Sequence, residues 1–385
     1  MKETIIATRN SISACLYKNV AKPIFFRIDP EKVHDSMTAT GKFLGSNLIT
    51  KQITKTFFGY KNKILEQKIN GIKFKNPIGL SAGFDKDADM TGIMGAVGFG
   101  FEEIGSVTGE SCTGNPKPRL WRLKKSKGLI VYYGLKNIGC EKVAKKLKGK
   151  KFDIPIGISV AKTNNKKTAQ KAAGIKDYAK AFKELKDIGQ YTTINISCPN
   201  AYGGQPFTNP DDLDDLMNAI NKIPSKKPIF LKLSPDLTKK EIDKIIYVSK
   251  KHKIDGFICS NLVKNRTNPN VNKHIKDRNM PKKGGISGRP IREVSTDIIK
   301  YIYKKTKGKY TIIGCGGVSS AEDAYKKIKS GASLIQLITG MIFEGPQVIS
   351  EINRGLVKLL KKDGYKNISE AIGKDAIIKH GKNNH

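Results

Sequence analysis

From about residue 76 to 340 the chain alternates short apolar runs, rich in β-branched residues, with stretches that place polar and apolar residues at helical spacing. The runs are 76–83 (NPIGLSAG), 99–108 (FGFEEIGSVT), 155–162 (PIGISVAK), 191–198 (YTTINISC), 228–235 (PIFLKLSP), 256–262 (GFICSNL), 310–318 (YTIIGCGGV) and 333–340 (SLIQLITG). Unbroken apolar runs suit strands covered on both faces, and the helices between them make the strands parallel. Eight such units predict an α/β fold of the (β/α)8 TIM-barrel type. An open doubly wound sheet is the alternative, but its glycine-rich first turn is missing from SAGFDKDADM.

Residues 1–65 carry no strand pattern. Two amphipathic stretches, 30–48 and 48–58, predict helices, the first opened by the start signal Asp29-Pro30-Glu31. The chain thus divides into a helical extension (1–65), a barrel (66–365) and a Lys-rich tail (366–385). Segment 112–139 is too long for a simple connection and is expected to be a loop folded over the barrel mouth.

Composition narrows the class. With 385 residues, 38% hydrophobic and 27% charged, neither wholesale disorder nor a polytopic membrane protein fits. No apolar stretch reaches the length of a spanning helix, and Lys2, Glu3, Arg9 and Lys18 break up the N-terminus as a signal peptide. The net charge of +37 attracts nucleic acid, anionic lipid or small anions. It comes from 62 Lys and only 9 Arg, whereas recognition patches favour Arg. The six cysteines form no CxxC pair, so no zinc or iron–sulfur site and no disulfide framework is expected.

In a barrel, chemistry sits where the strands end. Those ends offer Lys86, Ser106, Ser159 or Lys162, Asn195, Cys198, Asn200, Lys232, Ser260, Asn261, Gly316, Gly317, Thr339 and Gly340. Lys232, inside FLKLSP, needs an anionic partner if it points inward. GCGGV and ITG, ending the last two strands, suit a phosphate held by backbone N–H groups, and GGISGRP (284–290) offers a third donor edge. Segment 195–204 (NISCPNAYGG) puts a thiol just past a strand, between two amides. A lone Cys is most often a small buried hydrophobe. Cys198 follows its strand instead of filling the centre, and no His lies near it in sequence, which favours proton transfer over Cys–His hydrolysis.

The motifs NPIGLSAGFDKDAD, GFGFEEIGSVT, GNPKPRLWRL, NISCPN, LKLSPDLT, GGISGRP, IIGCGGVSSAEDA and GASLIQLITG resemble those of dihydroorotate dehydrogenases, in the same order, from about residue 24 to 360. FRIDPEKVHDSM and the helical extension resemble the membrane-associated, quinone-using class 2 enzymes. The resemblance implies an FMN barrel that oxidises dihydroorotate to orotate in pyrimidine synthesis and reduces a quinone. By motif, FMN contacts fall on Ala82, Gly83, Lys86, Ser106, Ser159, Asn195, Lys232, Ser260, Gly288, Gly317, Ile338 and Thr339, with Lys232 beside N1 and O2 of the ring. Substrate contacts fall on Lys86, Leu135, Asn195, Asn200 and Asn261, and Cys198 becomes the base that takes the C5 proton.

Four positions depart from the class 2 pattern: Cys198 stands for Ser, Val131 for a substrate-binding Asn, Leu135 for Phe and Leu262 for Thr. Tyr132, Tyr133 and Lys136 are the neighbours able to replace a lost contact. A related FMN barrel acting on another dihydropyrimidine, or class 1-like use of a soluble acceptor, remain alternatives. The resemblance further implies an extension whose Leu16, Phe25, Phe26, Phe43, Leu44, Leu48, Ile49 and Phe57 line a quinone tunnel and rest on anionic membrane. The enzyme is then peripheral on the cytoplasmic side of the cell membrane, or else cytoplasmic. No nucleic acid, metal or iron–sulfur subunit is expected as a partner.

Overall fold

The computed structural model describes residues 2–377. All eight expected runs form strands: β1 (Ile78–Leu80), β2 (Phe101–Val107), β3 (Ile156–Val160), β4 (Tyr191–Asn195), β5 (Ile229–Leu233), β6 (Gly256–Cys259), β7 (Thr311–Cys315) and β8 (Leu334–Leu337). Each pairs in parallel with the next, and Ile335 opposite Ile78 closes the barrel. Nearly every strand residue is buried, as continuous apolar runs between helices require. At the N-terminal end, Phe74, Phe101, Tyr191, Phe230, Ile258, Ile313 and Leu334 fill the interior, with Phe74 edge-on to Phe101 and Tyr191 edge-on to Phe230. Phe74 comes from a short hairpin, Gln67–Ile69 with Ile72–Phe74, that underlies the floor. Plugged at one end, the barrel is open to ligands at the other.

The extension holds one more helix than its sequence pattern suggests. Helix α1 (Lys2–Leu16) runs on through a π turn (Tyr17–Ala21) into a last turn at Lys22–Phe25. Next come α2 (Pro30–Leu44) and α3 (Leu48–Phe58). The start signal works as expected: Asp29 Oδ1 accepts from the N–H groups of Glu31 and Lys32, with Pro30 in the first turn. The 30–48 stretch stops early because Gly45 ends α2 and Asn47 caps α3 by accepting from Thr50 N–H.

Helix α1 went unread because its binding face is mainly polar. Arg9 donates to Thr56 O and Ser350 Oγ, Tyr17 to Ile342 O, and Lys22 to Phe343 O. Its apolar residues Ile5, Ile12, Leu16, Val20 and Ile24 face outward, as do Phe43, Leu48, Ile49, Ile53 and Phe57 of α2 and α3. No described helix is long and apolar enough to cross a membrane.

Segment 112–139 is more ordered than a loop. Strands Leu120–Leu123 and Gly128–Val131 form an antiparallel hairpin, and Gly285–Gly288 of the GGISGRP motif adds a third strand. This small sheet contributes Leu120, Leu129, Val131, Ser287 and Gly288 to the wall of the barrel-mouth cavity. Of the Lys-rich tail, Ile368, Ala371 and Ala376 are buried, while residues 378–385 lie outside the described residues.

Candidate active site

One cavity occupies the C-terminal mouth of the barrel, with an empty volume of about 1250 Å³ including its opening. Lining it are Ala82, Gly83, Lys86, Ser106, Leu135, Asn195, Cys198, Asn200, Lys232, Ser260, Asn261, Gly288, Gly317, Ile338 and Thr339, brought together from across the sequence. Ser159 does not line it. Fully buried, it sits behind Ser106 with the two hydroxyls 2.7 Å apart, and so positions that residue.

Lys232 rises from β5 with its side chain 5% exposed. The anionic partner that its burial demands is Glu103 of β2, 3.6 Å away, and the ammonium also donates to Ser81 Oγ at 3.3 Å. Glu103 is held by Thr193 and Gln336, at 3.0 and 3.1 Å. It was not singled out in the sequence, although two adjacent glutamates in the otherwise apolar FEEI are a signal. Beside this pair runs an amide network: Asn195 Nδ2 donates to Ser106 Oγ, and Asn195 Oδ1 accepts from Ser197 and from Asn261 Nδ2. Asn200 Nδ2 donates to the carbonyl of Val131, tying the loop after β4 to the lid sheet.

Cys198 faces the main cavity and also a smaller one behind it, lined by Lys162 and Tyr178. Burial pushes its thiol up to about 11 against the opposing pull of the Asn200 N–H and the Lys162 ammonium, so at neutral pH it is protonated. Lys162 points away from the main cavity and donates to Tyr202 O at 2.7 Å.

At the opposite wall Lys86 meets a residue that the sequence reading passed over. His34, on α2, lies 2.9 Å from Lys86 Nζ through its Nε2. Burial, then the Lys86 and Lys136 charges, push His34 down to about 2, leaving a neutral ring that accepts from the ammonium. Burial, with Lys136 nearby, also pulls Lys86 down to about 8. Its ammonium sits 4.1 Å from the centre of the Tyr133 ring. Tyr133 and Lys136 line the cavity, whereas Tyr132 does not and instead lies under Lys283.

A second tie to the extension is buried. Arg119 Nη2 meets Glu31 Oε1 at 2.7 Å, both side chains 5% exposed, while Arg119 Nη1 donates to Thr113 O and Asn115 O. Neither His34 nor Glu31 is near the barrel in sequence, so only the fold reveals these contacts.

The ends of β7 and β8 form a cradle without side chains. A Cβ on Gly317 (φ +72°) would come within 2.5 Å of Arg292 Cβ, and one on Gly288 (φ +86°) within 2.7 Å of Thr339 Cγ2. The N–H groups of Gly316, Gly317 and Val318 find no acceptor among the described residues. Free donors in a cradle of glycines fit a phosphate, and the cavity between them and Lys232 fits the rest of a flat ligand. No cluster of metal-ligating side chains occurs among the described residues.

Residues 64–360 match the family model described as dihydroorotate dehydrogenase. Dihydroorotate dehydrogenase (quinone) of Trichodesmium erythraeum is 37% identical, over 93% of this chain and 98% of its own length. Its namesake from Nautilia profundicola is 40% identical, over 92% and 96%. Among solved structures, ligand-free DHODH from Eimeria tenella superposes with a TM-score of 0.79 at 28% identity, covering 91% of this chain and all of that one. The same enzyme in complex with ferulenol gives 0.78. The chain therefore belongs to the dihydroorotate dehydrogenase family of oxidoreductases, alongside relatives named for quinone as acceptor.

Proposed function

We propose that this enzyme binds FMN and oxidises dihydroorotate to orotate for pyrimidine synthesis, passing the electrons to a quinone. The observation that carries the reading is the meeting of Cys198, Lys86 and Lys232 in one cavity that ends in a glycine cradle. FMN, if held there, would supply the two-electron chemistry that connects hydride loss at C6 of the substrate to reduction of the quinone. The N–H groups of Gly316, Gly317 and Val318 would hold its phosphate, and Lys232 would face its ring.

The chain's own residues supply the rest. Cys198 as thiolate takes the C5 proton, becoming a neutral thiol as the double bond forms. Lys86 balances the substrate carboxylate. Asn195, Asn200 and Asn261 orient the pyrimidine ring through amide capacity left over from the Asn195–Asn261 bond and the Asn200–Val131 bond. Lys232, partly neutralised by Glu103, leaves a moderated positive field where negative charge develops. A second substrate reading, another dihydropyrimidine, is favoured by one observation: apolar Val131 and Leu262 stand in the wall. Orotate formation, followed by its ultraviolet absorbance with a short-chain quinone as acceptor, tests the assignment. Turnover on dihydroorotate that Cys198→Ala abolishes supports it; turnover only on an uncharged dihydropyrimidine favours the second reading.

The extension, residues 1–65, is the quinone entrance and membrane foot. Helix α1 bonds to the barrel mainly through polar groups, with Ile6 packed on the core, and leaves Ile5, Ile12 and Leu16 on its outward face. Leu48, 83% exposed, and Ile49, 74%, extend that face. Such a surface suits the interfacial zone of a bilayer, with nearby lysines drawn to anionic lipid. The proposed location is accordingly peripheral, on the cytoplasmic side of the cell membrane. His34, at the inner end of α2, then stands between the entrance and Lys86.

A further inference from the structure

Behind the glycine cradle lies a charged group with no role in the chemistry above. Lys327, on helix Ala321–Lys329, is completely buried, yet its ammonium meets only neutral oxygens: Ser295 Oγ at 2.9 Å, Thr296 Oγ1 at 3.0 Å and the Arg292 carbonyl at 3.3 Å. Ser295 leads directly to the cradle. Its hydroxyl donates to Cys315 O at 2.5 Å and lies 3.2 Å from where a Cβ on Gly316 would stand. Arg292 flanks the same turn and donates to Gly317 O at 2.9 Å.

The charge count is unbalanced. Asp323 is the nearby carboxylate and is committed to Arg292 at 2.9 Å, while its other oxygen accepts from the N–H and hydroxyl of Ser319. Two cations therefore share one anion beside a turn whose three N–H groups find no acceptor among the described residues. A buried ammonium with neutral partners is costly unless an anion is supplied. Burial accordingly pulls Lys327 down to about 7, with Cys315 and Asp323 opposing the shift and Arg292 adding to it.

We propose that Lys327, relayed by Ser295, is a positioning residue that supplies the uncompensated positive charge behind the 316–318 turn, and that the ligand's phosphate is the missing counter-ion. The inference rests on the FMN reading above but concerns a residue that does not line the cavity. It predicts that the chain discriminates FMN from riboflavin through a charge it keeps out of contact with either.

The test measures the affinities of flavin-stripped protein for FMN and for riboflavin by fluorescence quenching. Lys327→Met keeps the volume and removes the charge. It is expected to weaken FMN by about tenfold, the scale of one unit charge acting through a protein-like dielectric, and to leave riboflavin unchanged. Asp323→Asn, which makes the cluster more positive, is expected to move the FMN-to-riboflavin ratio the opposite way. A structural role alone would weaken both flavins together and would not reverse sign. Equal losses for the two flavins in Lys327→Met, or an unchanged ratio in both folded variants, overturn the proposal. Failure of the wild-type protein to prefer FMN over riboflavin would instead overturn the phosphate reading itself.

Discussion

The pH dependence of dihydroorotate oxidation follows from two buried groups whose proton affinities run opposite to their tasks. In the proposed reaction Cys198 acts as base and must be a thiolate, but burial holds its proton up to about pH 11. Lys86 must be charged to receive an anionic substrate but loses its proton near pH 8. Below pH 8, Lys86 stays charged and the thiolate fraction grows tenfold per unit, so kcat/KM rises tenfold per unit. Between about 8 and 11 each tenfold gain in thiolate is cancelled by a tenfold loss of charged Lys86. The competent fraction then levels at about 10⁻³, from the three-unit gap between the two values. Once substrate is bound, its carboxylate holds the proton on Lys86, so kcat continues to rise past the break. Anaerobic flavin reduction, measured against pH at limiting and at saturating dihydroorotate, separates the two curves. A kcat/KM that levels off by pH 7 and then falls above pH 8 would mean a base far more acidic than a buried thiol, and would refute the reasoning.

Other outcomes follow from single contacts. Glu31→Gln strands the Arg119 guanidinium in a site 5% exposed; we expect a loss of about 3 kcal/mol in stability, read by denaturant unfolding, and slower quinone reduction with dihydroorotate oxidation retained. Val131→Asn restores an amide to the cavity wall and should tighten orotate by about 1 kcal/mol in equilibrium titration. His34→Ala removes the neutral acceptor from Lys86, so the pH 8 break in kcat/KM should move while flavin affinity stays the same. The double variant Leu48→Asp, Ile49→Asp should reduce sedimentation with anionic vesicles without changing flavin reduction by dihydroorotate.

The barrel was legible because its signal is local. Eight β-branched runs, each long enough for a buried strand, need no partner to be recognised, and all eight appear in the closed sheet. The cavity residues were legible for a related reason: barrel topology sends every strand end to one face, so Lys86, Asn195, Cys198, Lys232 and Gly317 converge without any further folding rule. What escaped depends on contacts distant in sequence. Helix α1 hides its binding face among polar residues, because its partners are chiefly hydroxyls and carbonyls on the last barrel helices, with Ile6 packed on the core. His34 reaches Lys86 across 52 positions and Arg119 reaches Glu31 across 88. The lid hairpin at 120–131 was obscured by its brevity, since four-residue strands joined by a short lysine-rich turn look like loop until a third strand from 285–288 supplies their partner.

The central claim is that Cys198, by taking the C5 proton, lets dihydroorotate pass a hydride from C6 to a flavin that a quinone then reoxidises. Anaerobic stopped-flow absorbance tests it most directly: purified enzyme is mixed with dihydroorotate, then with a short-chain quinone. The account predicts rapid bleaching of the flavin, full recovery on adding quinone, and bleaching slowed by orders of magnitude in Cys198→Ala with flavin still bound. A bound flavin that dihydroorotate leaves oxidised, or one that bleaches equally fast without the thiol, would contradict it.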